Sequence, residues 1–323
     1  MELQKAWAVV LAGGDGIRLQ PLTRMITGED TPKQFCQLYG GRTLLAHTRF
    51  RLAAAIAPEH TVFAVVKPHE RYYTKELADV KPSRVVVQPS NKGTTAAIVH
   101  SLDRIRSLAG DPVVGFFPTD HLYEREPQFV ASVRLAFKIA SSRPQTIILL
   151  GARAEYPEVE YGWIEPGTPL ACRLTDSLLG VRQFWEKPST QVAQALLACD
   201  CLWNTFVMIG RASAFLDILK ASVPRMLQAI TSGDGDPRNR EAESGWANSD
   251  QEFAAIAPGD FSQQVLSVST NRLAVLRLKE IGWSDLGTPE RVRRALTRHG
   301  LRWDHDAFAQ NESVGGLASM AAS

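Results

Sequence analysis

AWAVVLAGGDGIRLQPLT, residues 6–23, joins an apolar segment directly to a glycine-rich loop. The first six residues predict a buried strand, and three glycines follow within four positions, at Gly13, Gly14 and Gly16. Glycine permits left-handed backbone and close approach, and ligands of an open parallel sheet bind at loops that leave the carboxyl ends of strands. We therefore predict a loop, beginning at Leu11 and Ala12, whose N–H groups surround a triphosphate.

A basic side chain completes this loop. Arg18 supplies a planar guanidinium that matches phosphate oxygens. The glycine spacing lacks the third glycine of dinucleotide-binding proteins, and no Gly-Lys-Ser/Thr closes a P-loop. The loop is therefore expected to bind a nucleotide in another way, and the missing fingerprint excludes a nicotinamide dehydrogenase.

The rest of the first half alternates strand-like and helix-like segments. Strands are predicted at 61–66, 84–88, 112–117 and 146–150, and helices at 43–57, 69–78, 94–108 and 128–140. Strands that alternate with helices of this length favour a mainly parallel sheet with right-handed crossovers. We predict an α/β fold, a Rossmann-like three-layer sandwich around a mainly parallel mixed central sheet.

The alternation weakens in the second half. Strands predicted at 161–165 and 180–185 lack a long helix between them, which indicates a β-rich insertion for a second ligand. Helices are predicted at 189–198 and 211–222, and a late strand at 271–279. The polar stretch 231–250 predicts a mobile loop or lid.

Composition excludes several classes of protein. The formal net charge of the 323 residues is +2, so phosphate binding must come from a local site and no nucleic-acid partner is expected. Four cysteines do not make a disulfide scaffold, and we expect reduced thiols. The apolar run at 6–12 is too short to span a membrane and lacks a cleavage pattern. We expect a cytoplasmic protein without a membrane partner.

A second loop, QPSNKGTTAAI at 88–98, lies between a predicted strand and a predicted helix. Gln88 carries both a donor and an acceptor and suits the edge of a nucleobase. Gly93 allows a flat ring to lie against the backbone, and Thr94 is placed to cap the following helix. The pattern predicts a base pocket, although a simple capped loop has the same composition.

Two aspartates follow predicted strands at separate points of the chain. Asp120 ends FFPTD at 116–120, and Asp285 lies in GWSDLGTP at 282–289. A carboxylate just past a buried parallel strand points into the crevice, and Mg²⁺ is held by one or two carboxylates with substrate phosphates. Either aspartate would alternatively cap a helix. His121 is expected to have a structural or supporting role.

EYGWIE at 160–165 and FWEKP at 184–188 are expected to form one pocket. Their carboxylates are suited to sugar hydroxyls, and the lysine is suited to a phosphate. The combination predicts a sugar-phosphate site, although Glu-Lys-Pro alone is equally typical of a solvated turn.

LAGGxGxRLxPLT, followed by PKQF at 32–35, resembles the signature of sugar nucleotide pyrophosphorylases and is most similar to that of mannose-1-phosphate guanylyltransferases. Pro-x-Asp-His, Tyr-Gly-x-Ile-Glu, Phe-x-Glu-Lys-Pro and Trp-x-Asp-x-Gly motifs also match. The resemblance implies that Arg18 and Lys33 stabilise triphosphate charge and that Asp120 and Asp285 bind Mg²⁺. It further implies sugar-phosphate contacts from Gly162, Glu165, Glu186, Lys187 and, through WNTFVM at 203–208, Asn204.

Three departures from the family pattern leave alternatives open. KGTTAAI at 92–98 replaces the Arg-Asn-Thr-Ala-Pro-Ala-Ile typical of guanylyltransferases, and Gln88 with Gly93 is closer to thymidylyl- and uridylyltransferases. Phe206 stands where the family has glycine and is expected to narrow or reshape the sugar pocket. Asp15 replaces Ser or Thr, and either points outward or helps to hold the metal.

The resemblance covers about 6–292 and implies a reaction. We expect Mg²⁺-dependent transfer of a nucleotidyl group from GTP to mannose 1-phosphate, carried by Arg18, Lys33, Asp120, Lys187 and Asp285. The same reaction with UTP or dTTP and glucose 1-phosphate is the first alternative, and a non-catalytic nucleotide-sugar-binding regulator is the second. We expect a catalytic domain over 1–292, a short and partly flexible extension over 293–323, and a possible homo-oligomer.

Overall fold

The computed structural model describes residues 6–231, 253–279, 281–298 and 300. Apart from residue 231, the predicted lid at 231–250 lies outside the described residues, as does the chain after residue 300. The strands are β1 Ala6–Leu11, β2 Thr61–Val66, β3 Val85–Gln88, β4 Val113–Pro118, β5 Leu122–Tyr123, β6 Ile147–Arg153, β7 Gly162–Pro169, β8 Leu178–Glu186, β9 Leu202–Arg211, β10 Leu273–Arg277 and β11 Trp283–Ser284. The α-helices are α1 Gln20–Thr27, α2 Leu44–Ala53, α3 Glu70–Glu76, α4 Gly93–Ala109, α5 Glu126–Ser142, α6 Thr190–Ala198, α7 Ala212–Ser222, α8 Pro224–Thr231, α9 Phe261–Gln264 and α10 Pro289–Arg298.

Nine strands form one sheet in the order β3-β2-β1-β4-β9-β6-β10-β8-β7. β1 to β4 run parallel where they pair, and β6 is parallel to β10. β9 is antiparallel to both of its neighbours β4 and β6, and β8 is antiparallel to β10. The predicted α/β class with a mixed central sheet is confirmed.

Helices cover both faces of this sheet, because successive side chains of a strand point to opposite faces. Trp7 and Val9 of β1 lie in a core that includes apolar residues of α4 and α7. Ala8 and Val10 lie in a second core with residues of α2 and α5. The result is the predicted three-layer arrangement of helices, sheet and helices.

The central strand β9 has no counterpart among the predicted strands. Its sequence, LWNTFVMIGR, is buried along nearly its whole length. A strand covered by helices on both faces lacks the alternation of polar and apolar residues that marks a half-exposed strand. The periodicity of the sequence therefore could not reveal it.

The β-rich segment extends the main sheet. β7 and β8 pair as an antiparallel hairpin, and β7 also pairs with β9. This hairpin brings the segments at 160–165 and 184–188 next to each other, with Gly162 opposite Glu186.

A separate two-stranded ribbon joins the segments that carry the two predicted metal ligands. β5 pairs antiparallel with β11, with Tyr123 opposite Trp283 and Leu122 opposite Ser284. Glu124 N donates to Gly282 O at 3.0 Å and continues the ladder. We call β5 and β11 the aspartate ribbon, because Asp120 precedes one strand and Asp285 follows the other.

The last described helix packs onto the first part of the chain. Val292, Ala295 and Leu296 of α10 share a core with Leu19 and Leu22. The domain boundary expected at residue 292 falls within this helix, and the division into two units stays a prediction. The four cysteines are free, as expected. Among the described helices, none has the length and apolar character needed to cross a membrane.

Candidate active site

A cavity of about 390 Å³ opens between the glycine-rich loop, the base loop and the β7–β8 hairpin. Most of the residues predicted for the site line this one cavity: Leu11, Gly13, Gly14, Arg18, Lys33, Gln88, Gly93, Thr94, Asp120, Gly162, Glu186, Asn204 and Asp285. Four predicted residues are not among its lining: Ala12, Gly16, Glu165 and Lys187.

The glycine-rich loop is held in shape by residues of the Pro-Lys-Gln segment. Gln34 Nε2 donates to Ala12 O and to Gly14 O, each at 2.9 Å. Gly16 has φ of 63°, and a Cβ there would lie 3.2 Å from Lys33 N. Gly16 therefore supports the loop by allowing this close approach. No pattern in the sequence predicts this role of Gln34, because it depends on contacts with residues 22 and 20 positions earlier.

Asp15 connects the glycine-rich loop to the base loop. Its carboxylate accepts a hydrogen bond from Asn91 Nδ2 at 2.9 Å and lies 3.6 Å from His69 Nε2. These contacts explain how an acid is accommodated in a phosphate loop, since its oxygens face an amide and a histidine.

Lys33 and Asp120 form an ion pair inside the cavity, with Nζ 2.5 Å from Oδ2. Burial acts to raise the pKa of Asp120, but the charges of Lys33 and His121 outweigh it and leave that pKa below its ordinary value. Trp283 Nε1 donates to His121 Nδ1 at 3.2 Å, and burial lowers the pKa of His121. His121 thus supports the wall beside Asp120 through its contact with Trp283.

Asp285 is held by three donors. Tyr161 OH donates to Oδ1 at 3.0 Å, Gly287 N donates to the same oxygen at 2.9 Å, and Arg291 Nη1 contacts both carboxylate oxygens. Arg291 also lies 3.4 Å from Glu158 through Nε. The sequence motifs mark Asp285, whereas nothing in the sequence marks Arg291 or Tyr161 as its partner.

On the sugar side, the absence of a side chain at Gly162 lets Glu186 and Asn204 lie close to its backbone. A Cβ on Gly162 would lie 2.9 Å from Glu186 Oε2 and 3.4 Å from Asn204 Cβ. Burial raises the pKa of Glu186, although hydrogen bonds from Lys187 and Ser262 oppose the shift.

The two predicted residues of this side that do not line the cavity have other partners. Lys187 has φ of 47° and places Nζ 2.8 Å from Glu186 Oε1, with its side chain half exposed. Burial acts to lower the pKa of Lys187, but the bond to Glu186 outweighs it and the pKa is raised. Glu165 lies 3.2 Å from Arg182.

The base loop holds an unsatisfied donor. Gln88 is 3 % exposed, and its Nε2 finds no hydrogen-bond partner among the described residues. A buried amide normally has a partner, so Gln88, a residue of the cavity lining, keeps an unused donor in this state.

The expectation that Thr94 caps the following helix is wrong, and the expected contact of Gly93 with a flat ring stays a prediction. α4 begins at Gly93 after Lys92 and has no side-chain cap, whereas Thr94 Oγ1 accepts from Phe261 N at 2.8 Å. A Cβ on Gly93 would lie 2.3 Å from Gly259 O. Thr94 and Gly93 therefore dock the segment 259–264, which also adds Asp260 and Ser262 to the cavity lining.

Arg18 at the cavity rim is paired with Glu160 across the site. Both side chains are about half exposed, at 54 % and 43 %. Each basic residue of the predicted catalytic set therefore has an acidic partner in this state: Glu160 for Arg18, Asp120 for Lys33 and Glu186 for Lys187.

The carboxylates of the cavity suit one particular way of binding a metal. Within the described ranges, no group of three or more His, Cys, Asp and Glu side chains is arranged to hold an ion. Asp120 and Asp285 nevertheless line the same cavity. Mg²⁺ commonly takes one or two carboxylates and completes its shell with substrate phosphates and water, and this donor set fits that mode.

The family described as nucleotidyl transferase matches residues 7–298. The chain belongs to the nucleotidyl transferase family. The match covers every described element from the first strand to α10, so the resemblance seen in the motifs is confirmed at the level of the family.

Curated relatives of this nucleotidyl transferase chain are longer than it is. Xanthan biosynthesis protein XanB of Xanthomonas campestris pv. campestris is 30 % identical over 286 residues, which are 87 % of this chain and 57 % of that protein. Mannose-1-phosphate guanylyltransferase of Escherichia coli K12 is 28 % identical over 295 residues, 89 % of this chain and 59 % of that enzyme. The chain thus spans a little over half the length of these relatives.

Solved structures agree on the fold. A mannose-1-phosphate geranyltransferase from Thermus thermophilus superposes with a TM-score of 0.76 at 24 % identity, over 91 % of this chain and 79 % of that one. A putative glucose-1-phosphate thymidylyltransferase from Bacillus anthracis superposes with a TM-score of 0.55 at 14 % identity, over 94 % and 99 %. At these identities the likeness concerns the architecture.

Proposed function

We propose that the protein transfers GMP from GTP to mannose 1-phosphate, with Mg²⁺, to give GDP-mannose and pyrophosphate. The observation that carries the proposal is the position of Asp120 and Asp285 in one cavity, between the glycine-rich loop and the polar groups Glu186 and Asn204. A triphosphate and a sugar phosphate bound on these two sides would meet beside the two carboxylates. The guanine and mannose assignments are supported by the names of the guanylyltransferase relatives.

The reaction is an in-line displacement at phosphorus. An oxygen of the sugar phosphate forms a bond to the α-phosphorus of the nucleotide, and the bond from that phosphorus to the oxygen bridging the β-phosphate breaks. Because the attacking oxygen is already anionic, no general base is needed. Catalysis then depends on positioning and on neutralising charge.

Each residue has a proposed role that depends on which substrate group it faces. Arg18 and Lys33 neutralise the pyrophosphate that leaves. Lys187, which does not line the cavity in this state, would exchange Glu186 for the phosphate of the sugar. Asp120 and Asp285 would hold Mg²⁺, which when bound supplies positive charge to the α-phosphate and orients it. Glu186 accepts hydrogen bonds from sugar hydroxyls, and the amide of Asn204 can both accept from them and donate to them.

The ion pairs of the cavity indicate how substrate binding proceeds. Lys33 exchanges Asp120 for phosphate oxygens, which frees that carboxylate for the metal. Arg18 likewise exchanges Glu160 for the triphosphate. Each exchange replaces one anionic partner by another, so no cation is left without a counter-charge during binding.

A second substrate pair has its own support. Gln88 and Gly93 resemble the base loops of thymidylyl- and uridylyltransferases, which favours UTP or dTTP with glucose 1-phosphate as the alternative. A non-catalytic regulator is the third possibility, and it is disfavoured because Arg18, Lys33, Asp120 and Asp285 all line the cavity.

The test is pyrophosphate release with Mg²⁺, crossing GTP, UTP, dTTP, ATP and CTP with mannose 1-phosphate and glucose 1-phosphate. We expect turnover to be strongest with GTP and mannose 1-phosphate. Stronger turnover with another pair of substrates would support the proposed reaction and change the substrates assigned to it. Nucleotide binding without turnover for any pair would overturn the enzymatic proposal.

A further inference from the structure

Phe206 has a backbone conformation that phenylalanine rarely adopts. Its φ is 56°, in the left-handed region. Glycine occupies this region without strain, whereas for a bulky L-residue it is a true outlier. Such strain persists only where the surroundings fix it, and strained residues cluster at ligand and active sites.

A bulge in β9 is what fixes it. Leu149 pairs with Met208 and Gly151 with Asn204, so the three residues 205–207 lie opposite Leu150 alone. Thr205 Oγ1 donates to Leu150 O at 2.7 Å, which anchors the bulge to β6. Bulges next to active sites re-aim the side chains that they carry.

The re-aimed ring lies on the cavity wall. Phe206 lines the cavity, and the rest of its surface packs against the core on the α4 face of the sheet. Its N–H donates to Asn204 Oδ1 at 3.1 Å, which also orients that amide. An aromatic residue thus lines the same cavity as Asn204 and Glu186.

We propose that Phe206 is a specificity-determining residue for the sugar, an inference that rests on the proposed function. The pocket accepts a sugar 1-phosphate that turns a C–H face to the ring and rejects one that places a hydroxyl or an acetamido group there. The physical reason is that the ring offers no hydrogen-bond partner, so a polar group buried against it loses its water without compensation. The ring also occupies the space that a larger substituent would need.

The decisive experiment compares wild type with Phe206→Gly. The quantity measured is kcat/KM for mannose 1-phosphate, glucose 1-phosphate and N-acetylglucosamine 1-phosphate with the preferred nucleotide. The ratio compared is kcat/KM for N-acetylglucosamine 1-phosphate divided by kcat/KM for the sugar that wild type uses best. We expect this ratio to be at least tenfold higher in Phe206→Gly than in wild type. Phe206→Leu, which keeps bulk at the wall, is expected to retain most of the discrimination.

Asp200 offers a matched control. It is also non-glycine with positive φ, at 53°, and it borders a different cavity. Asp200→Gly should therefore change backbone strain without changing the choice of sugar. An unchanged sugar ratio in a folded Phe206→Gly protein would overturn the inference.

A binding measurement separates this inference from the proposed reaction. If wild type turns over no substrate pair, the proposed function fails, and sugar choice is then read from the melting-temperature shift caused by each sugar 1-phosphate. A different ranking of the three sugars in Phe206→Gly supports the inference without any turnover. The same ranking in both proteins contradicts it.

Discussion

Arg291 holds Asp285 through a single nitrogen, with Nη1 2.9 Å from Oδ1 and 2.7 Å from Oδ2. The same guanidinium lies over the ring of Tyr161, 4.7 Å from its centre, and reaches Glu158. Arg291 is 7 % exposed. A carboxylate proposed to bind metal is therefore oriented by a buried cation on the following helix.

Removing this cation should destabilise the protein. We expect Arg291→Ala to lower the free energy of unfolding by about 3–5 kcal/mol, because Asp285 and Glu158 would be left mostly buried without their partner. Urea unfolding measures the change. Arg294→Ala is the control on the same helix, since its exposed pair with Glu290 is worth about 0–1 kcal/mol. Equal effects of the two substitutions would show that the buried pair has no special role.

Turnover should depend on Mg²⁺ and on Asp120. We expect EDTA to abolish pyrophosphate release and added Mg²⁺ to restore it, and Asp120→Asn to lower kcat about a thousandfold, because the metal loses an anionic ligand. Asp30→Asn is the control, since Asp30 pairs with Arg24 on the surface. A fully active Asp120→Asn enzyme would rule out the proposed metal site.

At neutral pH, the buried charge of Glu186 should lower the stability of the folded protein. Its pKa is raised above the ordinary value of 4.5, chiefly by burial, so the ionised form is disfavoured in the folded protein. Glu186→Gln removes that charge, and we expect a higher melting temperature than wild type at pH 8. Because protonation relieves the same penalty, the difference should shrink as the pH falls toward 4.5.

The same substitution should weaken sugar binding. We expect KM for the sugar 1-phosphate to rise at least tenfold in Glu186→Gln, because a carboxylate acceptor becomes an amide. Glu165→Gln serves for comparison, since Glu165 pairs with Arg182 and does not line the cavity. A larger rise in KM for Glu165→Gln would reverse the assignment of the two acids.

Gly282 should be needed for the aspartate ribbon. It has φ of 58°, and a Cβ there would lie 1.9 Å from Glu124 Cδ. Gly28 also has positive φ, at 79°, but a Cβ there meets nothing within 4 Å. We expect Gly28→Ala to cost about 1 kcal/mol from backbone strain alone. Gly282→Ala should cost more, because the Glu124 side chain must also move away and would lose its ion pair with Arg298. Urea unfolding of both variants measures the two costs, and equal losses of unfolding free energy would contradict this expectation.

Much of the fold was predictable because the parallel strands of the first half are short apolar runs bounded by Gly, Pro or helix signals. β1 and β2 were predicted at their observed bounds. Most of the residues that the motifs select also meet in one cavity, as expected for loops that leave the same edge of a sheet.

The residues that were missed act only through tertiary contacts. In the sequence, Arg291 is one of several arginines in a polar helix, and nothing there marks it as the partner of Asp285. Gln34 is a polar residue after a proline until the fold places it against the carbonyls of Ala12 and Gly14. Gly93 was marked as a position of close approach, and the fold adds a partner that the sequence does not show, the backbone of Gly259.

The aspartate ribbon brings together two carboxylates that lie far apart in the sequence. Two residue pairs of β5 and β11 hold their segments side by side, and Tyr161 and Arg291 then orient Asp285. Mg²⁺ demands short, near-octahedral bonds, whereas Ca²⁺ accepts longer and more irregular ones. If both carboxylates bind one ion as proposed, the spacing that the ribbon gives them would therefore bear on the choice between these two cations.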